Sequence, residues 1–105
     1  MAENKDGIQM RPSEALQHHR EEIRRVVRAN RSDNPRIFGS TLHGDDNDGS
    51  DLDLLIDPTH ETSLLDVARI QDSIQNLLGV PVDVLTPLDL PAKFRDRVLS
   101  EAVDV

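Results

Sequence analysis

Apolar residues recur along this chain with two periods, one that suits helices and one that suits strands. Between Pro12 and Asn30, Leu16, Ile23, Val26 and Val27 fall on one helical face, with Gln, His, Glu and Arg opposite. Pro12-Ser13-Glu14 opens that helix, with proline near its first position and an acid near the positive end of its dipole. The run from Asn30 to Pro35 is a turn cluster. Arg36 to Ser40 then predicts a short strand entering a glycine. Thr41 to Gly44 fits a helical turn, and residues 45–49 read as loop. From Ser50 to Asp57 the pattern alternates. Leu52, Leu54 and Ile56 point one way, and Asp51, Asp53 and Leu55 the other, until Pro58 stops the strand.

Thr62 or Ser63 can cap the next helix. Its buried face would be Leu64, Val67, Ala68, Ile70, Ile74, Leu77 and Leu78, and Gly79 suits its C-terminal cap. Val80 to Thr86 predicts a third strand, with Val82 and Val84 opposite Asp83. Pro87 and Pro91 bracket a loop. A last helix from Pro91 carries Phe94, Val98 and Ala102 on one face. The expected order is helix, strand, turn, strand, helix, strand, helix. That is an α+β (mixed α/β) domain, a small mixed sheet covered by helices, with exposed sheet edges unless something covers them. Residues 1–11 are polar and aperiodic and read as a flexible N-terminus, leaving 12–105 as one domain.

Composition narrows the chemistry. The sequence has 105 residues, no tryptophan, no tyrosine and two phenylalanines, Phe38 and Phe94. The core must come from Leu, Ile and Val, and Phe38 is expected within it. No nucleobase pocket is legible. A domain of this size has a thin margin of stability. The net charge of -8 argues against direct nucleic-acid binding, which needs clustered Lys and Arg. It suits a basic partner, or a metal ion that cancels local acid. Without cysteine there is no disulfide or thiolate chemistry. No apolar run has membrane-spanning length and Met1 to Arg11 is too polar for a secretory signal, so a cytoplasmic protein with no membrane contact is expected.

The densest chemistry lies in Gly39-Ser40-Thr41-Leu42-His43-Gly44-Asp45-Asp46-Asn47-Asp48-Gly49-Ser50-Asp51-Leu52-Asp53. Asp45, Asp46 and Asp48 read as a solvated acidic loop, because Asn, Asp and Gly are ordinary turn formers. A calcium loop with Gly49 at its sixth position would have Gly44 at the first and Leu55 at the twelfth. It would lack its first ligand and its bidentate one, so that site is rejected. Asp51 and Asp53 lie in an apolar strand and project from one face, and Asp83 repeats the arrangement between two valines. Paired carboxylates there are costly unless a cation or hydrogen bonds compensate. They form either an oxygen-rich cup suited to Mg²⁺ or a plain water-facing side of the sheet. Gly39-Ser40, at a strand end before a helical turn, makes either a plain turn or a phosphate cradle of backbone N–H groups and a hydroxyl.

Gly39-Ser40, residues 41–50, then Asp51-x-Asp53, with Asp83 one helix downstream, resembles the signature of the DNA polymerase beta-like nucleotidyltransferases. From about Pro12 to Val103 the chain is similar to their minimal members, the MNT antitoxins of HEPN/MNT toxin–antitoxin systems. The resemblance implies the polymerase beta-like nucleotidyltransferase fold. It implies an antitoxin that silences a HEPN-domain ribonuclease by moving AMP from ATP to a toxin tyrosine, within a hetero-oligomer. Asp51, Asp53 and Asp83 would be the catalytic residues and hold two Mg²⁺ ions. Gly39 and Ser40 would hold the phosphates of ATP. Similar proteins often carry arginine at the positions of Thr41 and His43, and a protonated His43 would supply part of that charge. His18 and His19 are read as helix-surface residues, and His60 as a loop residue. Two alternatives stand beside this reading: an antitoxin that only binds and occludes its toxin, and a nucleotidyltransferase acting on a small molecule.

Overall fold

The computed structural model describes residues 11–43 and 51–105. Residues 1–10 of the N-terminal segment read as flexible, and the acidic loop with Asp45, Asp46 and Asp48, lie outside the described residues. Helices α1 (Pro12–His18) and α2 (Arg20–Ala29) lead into strand β1 (Ser32–Phe38) and the short helix α3 (Ser40–His43). Strand β2 (Leu52–Pro58), helix α4 (Leu64–Leu78) and strand β3 (Val82–Leu85) follow. A 3₁₀ turn (Pro87–Asp89), helix α5 (Ala92–Glu101) and strand β4 (Val103–Asp104) complete the order. The sheet runs β3-β2-β1-β4. β1 is antiparallel to both β2 and β4, while β2 and β3 are parallel. The expected α+β fold with a small mixed sheet is therefore present.

Alternation along the strands separates two faces. Ile37, Leu52, Leu54, Ile56, Val82 and Val84 join Leu16, Ile23, Val27, Ile70, Ile74 and Leu78 in the buried core. This is the Leu/Ile/Val core that the composition requires, and its non-directional burial is the main force holding the fold. On α4 the buried stripe is Asp66, Ile70, Ile74 and Leu78, one residue per turn. Leu64, expected on that face, is 90% exposed, and Ala68 is exposed too. Both sit off the four-residue stripe.

The structure departs from the sequence reading at three places. The helix expected over Pro12–Asn30 breaks at His19, which leaves helical geometry (φ -134, ψ 23) with neither glycine nor proline to mark the place. The turn cluster after Asn30 is mostly strand: β1 starts at Ser32 and passes Asn34-Pro35 as a bulge. Asn34 takes a positive φ of 54, which asparagine tolerates, and proline fits where no ladder N–H is needed. The chain after α5, expected to be helix face at Ala102, turns into β4 instead. The Val105 N–H donates to Pro35 O, and the Arg24 guanidinium donates to Val105 O at 2.7 Å. A two-residue strand has no sequence period to betray it.

The free side of β3 is closed by side chains. The Val82 and Val84 N–H groups donate to Gln75 Oε1 and Gln71 Oε1, at 3.0 and 3.2 Å. Two glutamines one turn apart on α4 thus satisfy two ladder donors, and that side is a poor template for another strand.

Asp66 ties the start of α4 to the start of β1. Its carboxylate accepts from the Ser63 N–H at 3.0 Å, the Ser63 hydroxyl caps the Asp66 N–H, and Arg31 pairs with it at 3.2 Å. The Ser63 backbone N–H, assisted by Arg31 and Arg69, holds the Asp66 carboxyl below its ordinary value despite burial. The native state therefore prefers Asp66 ionised. This stabilisation is present above the ordinary aspartate range and is lost as pH falls through the lower folded value. Asp66→Asn should lower Tm at neutral pH and flatten the acid limb of a Tm-versus-pH curve below about pH 4. A variant with an unchanged acid limb would show that another carboxylate governs it.

Candidate active site

The face of the sheet opposite the core carries the acids. In the parallel pair Asp53 stands opposite Asp83, and in the antiparallel pair Asp53 stands opposite Phe38. Residues directly opposite in a ladder share a face. Phe38, Asp53 and Asp83 therefore form a row across three strands, in the order β1, β2, β3. Asp53 is half-buried, while Asp83 is exposed. Asp51 is exposed just before β2 rather than inside it, at the position where the Leu52 N–H bonds Pro81 O.

Burial pushes the Asp53 carboxyl above its ordinary value, and the nearby negative charges of Asp83 and then Asp51 push it further. The Asp53 carboxyl thus sits in the field of the other two acids. Among the described residues no three acids close into a ready-made metal cage. The donors nonetheless fit a hard cation: all are carboxylate oxygens, the type Mg²⁺ takes, and Asp53 carries negative charge that nothing described balances.

Gly39 is fitted to this row. It has φ +79, a conformation that glycine adopts without the Cβ penalty. A Cβ there would overlap Asp53 Oδ2 and stand 3.4 Å from Asp53 Cγ, so the backbone lies directly against the carboxylate. Glycine is needed here for two independent reasons, and only one of them, the strand-end turn, was visible in the sequence. The Gly39 carbonyl accepts from the Leu42 N–H at 3.1 Å, which starts α3 at Ser40. The first N–H groups of such a turn have no acceptor within it.

Thr41 is 5% exposed, and its Oγ1 has no hydrogen-bond partner among the described residues. It lies inside the fold, where an arginine head would have to find another way out. His43 closes α3 in its backbone, and its side chain lies outside the described residues. His18 and His60 are exposed, as expected of surface residues. His19 is half-buried, with Nδ1 3.4 Å from Glu22 Oε2.

Sequence reasoning missed one part of this region. No residue of α5 is buried in the core, and Phe94 is 47% exposed. Phe38 is not a core residue either. Both residues line a cleft with Gly39, Arg97, Val98 and Glu101. The signal available was scarcity: a chain with two aromatic residues places both in one spot.

A family model described as nucleotidyltransferase domain matches residues 20–105. A protein of Methanocaldococcus jannaschii, named as a candidate protein adenylyltransferase, is 41% identical over 66% of this chain and 74% of its own length. A solved structure described as a candidate minimal nucleotidyltransferase superposes with a TM-score of 0.81 at 32% identity, over 95% of this chain and 99% of that one. A crystal structure of a toxin–antitoxin with AMP-PNP shares the fold, with a TM-score of 0.65 at 14% identity, over 89% of this chain and 71% of that one. Among the described residues no helix is long and apolar enough to cross a membrane.

Proposed function

The chain belongs to the nucleotidyltransferase domain family, and from that premise we propose that it transfers AMP from ATP to a tyrosine of a HEPN-family ribonuclease toxin, as a catalytic antitoxin. The observation that carries the catalytic part is the row in which Asp53 faces Asp83 and has the Gly39 backbone pressed against it. The related adenylyltransferase named above supports a protein as acceptor. The antitoxin role and its HEPN partner rest on the sequence resemblance. The sequence contains no tyrosine, so a tyrosine acceptor must lie on another chain.

In this reading Gly39 and Ser40 receive the triphosphate, through the backbone N–H groups at the head of α3 and the Ser40 hydroxyl. His43, when protonated, adds positive charge beside it. Asp51, Asp53 and Asp83 would hold two Mg²⁺ ions, which when bound neutralise charge on the phosphates and on the transition state. Asp83, at the exposed end of the row, takes the phenolic proton. The tyrosine oxygen bonds to the α-phosphorus, the bond to the bridging oxygen breaks on the opposite side, and pyrophosphate leaves. The half-buried setting of Asp53 lowers the local dielectric and strengthens the interactions of its own carboxylate.

The test uses the protein encoded beside this one, incubated with the full chain, ATP and Mg²⁺. The partner should gain adenylyl units on tyrosine by mass spectrometry. No mass gain, while a control adenylyltransferase works in the same buffer, would overturn transfer. Exposed apolar residues such as Leu64 and Leu88, 90% and 83% accessible, favour a second reading in which binding alone neutralises the toxin. The double variant Asp51→Asn, Asp53→Asn separates the two. Protection of cells at normal protein levels would support occlusion, and lost protection with an intact complex would support catalysis.

A further inference from the structure

Nothing in core packing accounts for the cleft between β1 and α5. It measures about 220 Å³. Sites that enclose whole drug-sized ligands run from roughly 300 Å³ upward, so this one suits a single planar group. Phe94 is exposed although apolar, on a helix that buries nothing in the core. The Lys93 ammonium stands 5.6 Å from its ring centroid, within cation–π range. Arg97 and Glu101 pair with each other at 3.6 Å along one side of the cleft. Phe38 and Phe94 are the sequence's two phenylalanines, in a chain without tyrosine or tryptophan, and both residues line it.

The position of the cleft points to its occupant. Gly39 belongs both to the cleft and to the turn that would receive phosphate. Phe38 is the ladder partner of Asp53 on the side away from Asp83. Across the sheet the order is cleft, Phe38, Asp53, Asp83. A group in the cleft is therefore next to the phosphate turn and on the far side of Asp53 from the residue that would take the acceptor's proton. An acceptor tyrosine belongs near Asp83. The group covalently joined to the phosphates belongs on the other side.

We propose that the cleft receives the purine base of the donor nucleotide, stacked on Phe38 and Phe94. This assignment rests on the nucleotidyltransfer reading above. Stacking on an aromatic side chain needs only a π-face, and it supplies affinity that phosphate contacts alone lack. Val98 adds an apolar wall, and the Arg97–Glu101 pair borders it with charge.

The test compares binding of ATP and of inorganic tripolyphosphate to the full chain by titration calorimetry in one Mg²⁺ buffer. The unaltered protein should bind ATP more tightly than tripolyphosphate. Phe94→Ala, at an exposed position that leaves the core intact, should weaken ATP binding about tenfold or more and leave tripolyphosphate binding unchanged. Phe94→Tyr, which keeps the ring, should restore ATP binding. Equal affinity of the unaltered protein for the two ligands overturns the proposal, and so does an unchanged ATP affinity in Phe94→Ala. Both results leave the phosphate site and the transfer reading in place. Binding of neither ligand would sink both. A Phe94→Ala effect confined to the KM of the acceptor protein would assign the cleft to the acceptor and overturn the proposal.

Discussion

Asp53→Asn should lose about 10³-fold in the rate of AMP transfer while the protein itself becomes more stable. The activity loss follows from the central place of Asp53 in the row, opposite Asp83 and against Gly39. Loss of a carboxylate that holds a catalytic cation removes several kcal/mol of transition-state stabilisation, and each tenfold in rate is about 1.4 kcal/mol. The stability gain follows from the same position. Burial and the charges of Asp83 and Asp51 make ionised Asp53 unfavourable in the folded chain. A neutral amide of the same shape removes that repulsion. Because Asp53 is half-buried and screened by water, the gain is modest, a rise in Tm of a few degrees. Thermal denaturation of the isolated protein and single-turnover transfer measure the two effects separately. A variant that loses both activity and stability would show that Asp53 holds the fold together instead of serving the site.

Gly39→Ala should damage both fold and site. A side chain at φ +79 costs about 1–2 kcal/mol in backbone strain. The added Cβ also overlaps Asp53 Oδ2, so either the carboxylate or the strand end must move, at a further cost of about 1–3 kcal/mol. A Tm loss of at least about 10 °C is expected. Displacing Asp53 by even about 1 Å should lower transfer about 10²-fold. Gly79→Ala is the control. Gly79 has φ +71 at the C-terminal cap of α4, but a Cβ there meets nothing within 4 Å. It should lose stability through strain alone and keep its activity. Equal activity losses in the two variants would trace the Gly39 effect to general destabilisation, not to its fit against Asp53.

Much of this protein is legible from local pattern. Alternation separated Leu52, Leu54 and Ile56 from Asp53 and Leu55, and the two faces of β2 divide accordingly. Ser63 and Gly79 bound α4 because capping and left-handed geometry are local properties of single residues. The acids of the candidate site could be picked out because a charge in an apolar strand breaks a short-range rule. Their catalytic roles remain the proposal made above.

Other features depend on what meets what after folding. The register that sets Asp53 opposite Asp83 joins strands separated by a helix, and no local period encodes it. The two-residue strand β4 is stabilised by partners far along the chain, such as Arg24 with Val105. Leu64 and Phe94 look alike in sequence to buried apolar residues. Their exposure depends on helix rotation and placement, which the competing burial of Ile70, Ile74 and Leu78 decides for α4. The sequence alone determined the alternation, the caps and the chemical types of the site, since these follow from each residue's own preferences. Tertiary structure alone decided the row of Phe38, Asp53 and Asp83, the fit of Gly39 against it and the aromatic cleft beside it, because contacts between distant segments exist only once the sheet has closed.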